Sequence, residues 1–161
     1  MIITYLGGDK FKIKTGDATI NLAADRVDID GFVIDGPGEY ERRNIFVESP
    51  FDQPKVYKLI VEDITLLYPG RAKKFSDKQI EAIDGVDLLF LPCGEEDSMP
   101  LKEALEFSST LEPSVIIPML FSDIQALRKE GLEGSVEKNA KISKASLPQE
   151  KNIVMFLETS R

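Results

Sequence analysis

A change in the spacing of apolar residues near position 70 limits what this chain can fold into. In the first part, apolar residues alternate with polar ones, as at Phe11, Ile13, Ile20 and Leu22, and turns separate the short apolar runs. This alternation predicts strands with one face in a core and the other in water, paired mainly as antiparallel hairpins. In the second part, continuous apolar strands alternate with helical segments, which predicts parallel strands buried on both faces.

The predicted elements follow from these patterns and from capping residues. Strands are predicted at 2–6, 11–14, 18–22, 32–34, 45–47, 56–61 and 64–68, and later at 87–92, 114–119 and 153–157. Helices are predicted at about 77–83, from 98–100 onwards, and from a cap at Ser122 to Gly131, with capping-box spacing between Ser76 and Gln79. The segments 48–54 and 131–148 are predicted to be loose. We expect the strands of 1–68 and those of 87–157 to form two facing sheets with helices outside.

Length and composition predict one packed domain over residues 1–161. Apolar residues make up 42% of the chain and charged residues 30%, which is the balance of a soluble globular protein. The net charge of -8 disfavours binding to nucleic acid or to an anionic membrane. No signal peptide or transmembrane run is recognised, and Cys93, the single cysteine, has no partner for an internal disulfide. We therefore expect a reduced, cytoplasmic setting.

The chain contains no histidine. Histidine is the commonest ligand of catalytic metals and the commonest general base near neutral pH, so its absence removes most familiar hydrolytic mechanisms. Cys93 would need a base to act as a nucleophile. We therefore interpret Cys93 as a small residue at the end of the apolar run 88–92.

A short acidic motif with the sequence Asp-Gly-Pro-Gly-Glu-Tyr-Glu occupies residues 35–41. Its Pro-Gly pair suits a tight turn. Asp35, Glu39 and Glu41 are candidate binding residues, and the two glutamates could form a general acid and base. A turn whose carboxylates cap backbone N–H groups is the simpler interpretation. The chain has no tryptophan, which makes sugar hydrolysis by these carboxylates a weak hypothesis.

Several segments, taken in order, resemble the metallo-β-lactamase superfamily, specifically its small branch of metal-dependent hydrolases related to the ascorbate-phosphate lactonases. Residues 5–11 resemble the opening strand and turn of that branch, and residues 36–41 resemble its Pro-Gly-Glu-Tyr-Glu signature. Residues 67–94 and 115–121 resemble its later run of strands and helices. The resemblance implies an α/β fold, a four-layer αββα sandwich of two mixed sheets flanked by helices, here in a truncated form.

The positions at which that family places its metal ligands carry other residues in this chain. Gly8 stands where the first His is expected, Tyr68 and Arg71 where a His and a bridging Asp fall, and Leu120 where the last His falls. The His-x-His-x-Asp-His loop has no counterpart in residues 21–34. A catalytic zinc site needs about three N, S or carboxylate ligands, and a fixed positive charge opposes one. Arg71 is either a surface residue or fills the vacated cavity and pairs with a carboxylate.

We therefore predict a catalytically inactive protein of this fold, with no metal ion or other cofactor, that acts as a binding or assembly module. Its partner would be another protein or a second copy of the chain. A membrane is not expected, and the acidic charge disfavours nucleic acid. The alternative is a hydrolase of the same fold that uses a relocated carboxylate site at Asp35, Glu39 and Glu41, or no metal. An inactive accessory role in nucleic-acid processing is a third hypothesis, which the acidic charge disfavours.

Overall fold

The computed structural model describes residues 1–160, in which two β-sheets pack face to face. The first sheet is antiparallel throughout, in the order β13-β1-β2-β3-β4-β5. Its strands are β1 (Ile2–Gly7), β2 (Lys10–Lys14), β3 (Thr19–Ala23), β4 (Arg26–Ile29), β5 (Phe32–Ile34) and β13 (Ala140–Lys141). Tight turns join β1 to β5 in sequence, as the alternating pattern predicts.

The second sheet is mixed, in the order β12-β14-β11-β10-β9-β8-β7-β6. Neighbouring strands are antiparallel from β6 to β9 and parallel from β9 through β10, β11 and β14 to β12. Its strands are β6 (Gly38–Arg42), β7 (Ile45–Ser49), β8 (Tyr57–Val61), β9 (Ile64–Tyr68), β10 (Leu88–Pro92), β11 (Val115–Met119), β12 (Ser135–Glu137) and β14 (Ile153–Leu157). Every residue of β10 and β11 is buried, as expected for parallel strands covered on both faces.

Three α-helices, α1 (Asp77–Ala82), α2 (Leu101–Leu111) and α3 (Ile124–Lys129), and one 3-10 helix (Lys144–Ser146) lie between the later strands. The predicted capping box of α1 is confirmed, because the Ser76 hydroxyl accepts from the Gln79 N–H and the Gln79 side chain accepts from the Ser76 N–H. The predicted cap of α3 was one residue early. Asp123, not Ser122, caps that helix by accepting from the Gln125 N–H.

Two apolar clusters hold these layers together. The first lies between the sheets and combines inner-face residues of both, among them Phe11, Tyr68 and Phe90. The second lies on the other face of the second sheet, where Leu89 and Leu91 of β10 meet helix residues such as Phe107 of α2. Burial of apolar surface at about 25 cal/mol per Å² makes these two clusters the main source of stability.

The two-sheet α/β sandwich predicted from the sequence is confirmed, with differences in how its layers are filled. The chain leaves the first sheet after β5 and enters the second at β6, so residues 38–68 belong to the second sheet. Only the second sheet is mixed, and its outer face carries the helical cluster. The outer face of the first sheet presents polar side chains such as Lys12, Asn21 and Asp28. Covering these polar side chains with a helix would cost the free energy of their hydration, so this face is expected to stay in contact with water.

The prediction of a loose segment at 131–148 was wrong. This segment contains β12, which pairs with β14, then β13, which pairs with β1, and then the 3-10 helix. The chain therefore returns from the second sheet to the first between Glu137 and Ala140. The segment predicted as loose from residue 48 begins two residues late, because β7 continues to Ser49. None of the helices within residues 1–160 has the length and apolar composition to cross a lipid bilayer.

Candidate functional site at one end of the sandwich

The turns of the first sheet and the strand ends of the second sheet meet at one end of the sandwich. On one side are the turns that join β1 to β2, β3 to β4 and β5 to β6. On the other side are the carboxyl ends of β9, β10 and β11, which lie in register as parallel neighbours. The two sides approach closely at Gly70, where an added Cβ atom would lie 3.4 Å from the Cα atom of Ala24. Ligand sites of α/β proteins commonly lie at the carboxyl ends of parallel strands.

All four tyrosines of the chain donate hydroxyl hydrogen bonds to backbone carbonyls of these turns. Tyr5 donates to Gly8 at 2.7 Å, Tyr68 donates to Asp9, Tyr57 donates to Asp25 at 3.3 Å and Tyr40 donates to Gly36 at 3.0 Å. Tyr57 and Tyr68 are fully buried. Burial raises the pKa of Tyr5 and raises that of Tyr57 to about 12. For Tyr68, burial raises the pKa further, and the nearby Asp9 adds to the increase.

The backbone of Leu120 closes this end against the first turn. Its N–H donates to the Gly8 carbonyl at 3.3 Å and to the Tyr5 hydroxyl at 3.4 Å, and its own carbonyl accepts from the Glu95 N–H. Leu120 has a φ of 55°, a left-handed conformation that is strained for a bulky side chain. Such strain persists only where surrounding contacts hold it, and the Leu120 side chain is buried between the sheets.

Arg71 occupies the same end and pairs with two carboxylates. Its Nε donates to Asp9 Oδ2 at 2.7 Å, and its terminal nitrogens bind the Glu96 carboxylate at 3.1 Å and the Glu96 carbonyl. The Asp9 side chain is 11% exposed, whereas that of Glu96 is 65% exposed. Desolvation would lower the pKa of Arg71, but its bonds to Glu96 and Asp9 outweigh that effect and raise it. Of the two interpretations of Arg71 from the sequence, the structure supports pairing.

The four positions singled out in the sequence, Gly8, Tyr68, Arg71 and Leu120, thus lie together around one turn. Leu120 bonds to Gly8, and both Tyr68 and Arg71 bond to the adjacent Asp9. A sequence profile described as "Beta-lactamase superfamily domain" matches residues 21–120.

The chain belongs to the metallo-β-lactamase superfamily. The narrower branch suggested by residues 36–41 stays a prediction. The search of curated proteins found no match.

Three solved structures are similar in fold to this chain. A candidate zinc-dependent hydrolase of the superfamily from Thermotoga maritima is similar with a TM-score of 0.80 and 20% identity, over 98% of this chain and 100% of that one. A metallo hydrolase from Ignicoccus hospitalis gives a TM-score of 0.60 and 12% identity, over 80% of this chain and 89% of that one. A candidate metal-dependent hydrolase from Parabacteroides distasonis gives a TM-score of 0.50 and 13% identity, over 97% of this chain and 100% of that one. At these identities, the similarity concerns the fold alone.

The residues of this superfamily member do not fit the metal ion that the names of its structural neighbours imply. Gly8 and Leu120 offer no side-chain donor, and the Tyr68 hydroxyl is committed to the Asp9 carbonyl. The nearby carboxylates of Asp9 and Glu96 both pair with the single positive charge of Arg71. Within residues 1–160, no group of three or more histidine, cysteine or acidic side chains is arranged to hold a metal ion. A divalent cation here would also face the guanidinium charge.

Cys93 lies at the end of β10 and is also unsuited to chemistry. Its Sγ is buried and donates to the Leu91 carbonyl at 3.3 Å, while its N–H donates to Met119. Burial raises the pKa of the thiol to about 12, so the reactive thiolate does not form near neutral pH.

The acidic motif 35–41 is divided between two places. Asp35 lies in the turn that leads from β5 to β6, whereas Glu39 and Glu41 lie on β6, the exposed edge strand of the second sheet. None of these three carboxylates caps a backbone N–H group in the described residues. The turn is instead held by the Tyr40 hydroxyl, which contacts the carbonyls of Gly36 and Pro37.

Sequence reasoning missed Asp9, Glu96 and the roles of the tyrosines. Asp9 directly follows Gly8, and Glu96 lies in an acidic run after β10, so both carboxylates were visible as candidate partners for Arg71. Which of the many carboxylates would reach Arg71 depends on how the turns converge. That convergence is a property of the tertiary structure.

Proposed function

We propose that this protein is a catalytically inactive member of the metallo-β-lactamase superfamily that acts as a binding or assembly module. One observation carries the proposal. A guanidinium, paired with Asp9 and Glu96, lies among the positions where the resemblance places metal ligands. Metal-dependent hydrolysis needs a cation with an open coordination position for water, and a paired arginine supplies neither.

The short connections of the first sheet support the same proposal. Residues 21–34 form the meander of β3, β4 and β5, in which two-residue turns leave no length for a ligand-bearing loop. The chain then reaches β6 through residues 35–37. The first shell of a metal site must be held within about half an ångström, so a site without that loop would lack most of its ligands.

Metal content and turnover test the proposal together. Protein purified without a polyhistidine tag and without chelator should contain far less than one equivalent of zinc, manganese or iron by elemental analysis. Esterase, lactonase and phosphodiesterase substrates should show no turnover above buffer with or without added metal. Stoichiometric metal together with metal-dependent turnover by the wild-type chain would contradict the proposal.

The alternative of a relocated carboxylate site has less support. Asp35, Glu39 and Glu41 are exposed, and Asp35 belongs to a different segment from the β6 pair. Carboxylates in water keep low affinity for divalent ions unless several converge. Alanine at all three positions should therefore leave metal content and hydrolysis at background.

The partner in this proposal is another protein. The net charge of -8 supports that choice over nucleic acid and anionic membranes. A cytoplasmic location is also part of the proposal, and the unpaired, buried Cys93 supports it.

A further inference from the structure

The outer face of β6, β7 and β8 is a part of the second sheet that the helical cluster leaves uncovered. Alternation along β7 places Ile45 and Val47 in the core and Phe46 on the opposite face. On β8 the same alternation places Ile60 outward. Phe46 is 50% exposed and Ile60 is 43% exposed, whereas Leu67 on the next strand is fully buried in the helical cluster.

Phe46 and Ile60 are direct cross-strand neighbours, so their exposed apolar surfaces are continuous. Glu41 is the neighbour of Phe46 on β6, and Glu39 and Glu48 form the adjacent cross-strand pair. All of these residues except Glu41 line a cavity of about 300 Å³, and Lys58 lines it with them. We call the surface formed by Glu39, Glu41, Phe46, Glu48 and Ile60 the β6–β8 face.

The charges of the β6–β8 face indicate what could cover it. Three glutamates surround the apolar pair. Lys58 is the cross-strand neighbour of Glu48 and lines the cavity, but its ammonium donates to the Asp84 carbonyl. A second copy would bring these glutamates against their own images, and two chains of net charge -8 repel each other. The face therefore complements a basic surface with apolar residues at its centre.

The rest of the second sheet indicates which secondary structure the partner presents to the β6–β8 face. Strand addition at the β6 edge is disfavoured because Glu39, Glu41 and Arg42 are all exposed and charged there. On the same side of the sheet, α2 already covers β10 with its buried residues Ala104 and Phe107. A further helix on the β6–β8 face would continue this layer.

We propose that the β6–β8 face docks a basic amphipathic helix of a partner protein. The apolar stripe of that helix covers Phe46 and Ile60, and lysines or arginines beside the stripe pair with Glu39, Glu41 and Glu48. This inference rests on the proposed role as a binding module and gives a use to Glu39 and Glu41. It does not depend on the state of the metal positions.

A designed peptide tests the proposal with the full chain. The probe is a fluorescein-labelled helical peptide of about 18 residues with leucines spaced three and four apart and lysines beside them. Its anisotropy is titrated with wild-type protein. The comparison peptides carry glutamate in place of lysine, or two central prolines that prevent the helix. The lysine peptide should bind, the other two should bind at least about tenfold more weakly, and affinity should fall with added salt.

Paired variants locate the binding. Phe46→Thr with Ile60→Thr keeps strand-forming residues and should weaken binding of the lysine peptide about tenfold. Val33→Thr with Ile153→Thr removes two apolar residues that are each 43% exposed elsewhere, and should leave affinity unchanged. Glu39→Lys with Glu41→Lys should weaken the lysine peptide and strengthen the glutamate peptide. Circular dichroism confirms that each variant is folded.

Several outcomes would overturn the proposal. Absence of binding at about 100 μM protein removes the docking site. Equal binding of the three peptides, or equal loss in the Val33 and Ile153 variant, shows attraction to the acidic protein as a whole. Dimerisation of the wild type that Phe46→Thr abolishes assigns the face to a second copy. Metal-dependent turnover together with specific peptide binding would refute the proposed inactivity and leave the docking inference standing. Absence of peptide binding in a protein without metal or turnover would refute the docking inference and leave the proposed inactivity standing.

Discussion

At the scale of single residues, Arg71 links three segments of the candidate site. It joins the end of β9 to the β1–β2 turn through Asp9 and to the segment after β10 through Glu96. Arg71→Met keeps much of the side-chain volume but leaves the nearly buried Asp9 without a partner. Hydrogen bonds to charged groups contribute about 1.5–3 kcal/mol when partly buried, so we expect a loss of about 1–3 kcal/mol in the free energy of unfolding. Urea denaturation measures this loss.

Lys74→Met is the matched control, because Lys74 is exposed and near Arg71 in sequence. Its effect should stay within about 0.5 kcal/mol. Combining Arg71→Met with Asp9→Asn should cost less than the sum of the single changes, because both remove the same ion pair. Equal effects of Arg71→Met and Lys74→Met would show that the pairing contributes nothing.

Cys93 gives a second prediction at this scale. Its thiol is buried and has a pKa raised to about 12, so Ellman's reagent should not react with the native protein near neutral pH. Unfolding in urea should release one reactive thiol per chain. Cys93→Ala should cost about 1 kcal/mol of stability and leave peptide binding intact. Rapid alkylation of the native protein would contradict this view of Cys93 as a packing residue.

At the scale of elements, Tyr57 and Tyr68 fasten turns of the first sheet to the second sheet, while Tyr5 and Tyr40 hold the turns next to their own strands. Each hydroxyl donates its proton to a carbonyl, so the bond requires the neutral tyrosine. Burial raises the pKa of Tyr57 from 10.0 to about 12, and the pKa values of Tyr5 and Tyr68 are raised in the same direction. The folded state therefore holds these protons more tightly than the unfolded chain does.

Alkaline pH should consequently destabilise the protein. The contribution of these tyrosines is complete below about pH 10 and is lost as the pH rises toward the folded value of about 12, because the unfolded chain releases the protons first. The urea midpoint measured across this range should fall steadily. Tyr57→Phe should start from a lower midpoint and fall less steeply, since one linked proton is gone. A midpoint that is independent of pH in both proteins would rule out the linkage.

At the scale of the whole molecule, restoring ligand residues should not restore a metal enzyme. We expect no zinc-dependent turnover from the combination of Gly8→His, Tyr68→His, Arg71→Asp and Leu120→His. In our proposal, the ligand-bearing loop implied by the resemblance has no counterpart in residues 21–34. Gly8 and Leu120 both have left-handed backbones, with φ of 58° and 55°, that fix where a side chain points. Elemental analysis and phosphodiesterase assays measure the outcome.

The four changes together could prevent folding, because Tyr68 is fully buried. Gly8→His with Arg71→Asp avoids the core and is the second variant. An ideal Cβ at Gly8 meets no atom within 4 Å, so the histidine has room. Added zinc should raise the melting temperature of each variant by no more than it raises that of the wild type. Zinc-dependent turnover by either variant would show that the fold retains a latent site.

The sequence predicted the strands best where apolar periodicity was strong. The strand at Ile64–Tyr68 and the last strand, Ile153–Leu157, were predicted with their observed bounds. It missed β6, because an edge strand with the sequence Gly-Glu-Tyr-Glu-Arg has few core residues and its polar side chains give no alternating apolar signal. The short β12 and β13 were missed for the same reason, since β12 is exposed along its whole length. The strand β4 was also missed, although Val27 and Ile29 alternate with polar residues there.

The sequence by itself determined the α/β class, the alternation that fills the core, and which residues stand at the four positions suggested by the resemblance. These follow from residue identity and local periodicity. Only the tertiary structure decided that residues 38–68 join the second sheet, that Arg71 pairs with Asp9 and Glu96, and that Phe46 and Ile60 share an uncovered face. Strand order and the meeting of distant turns depend on contacts between residues far apart in sequence, about which local patterns carry no information.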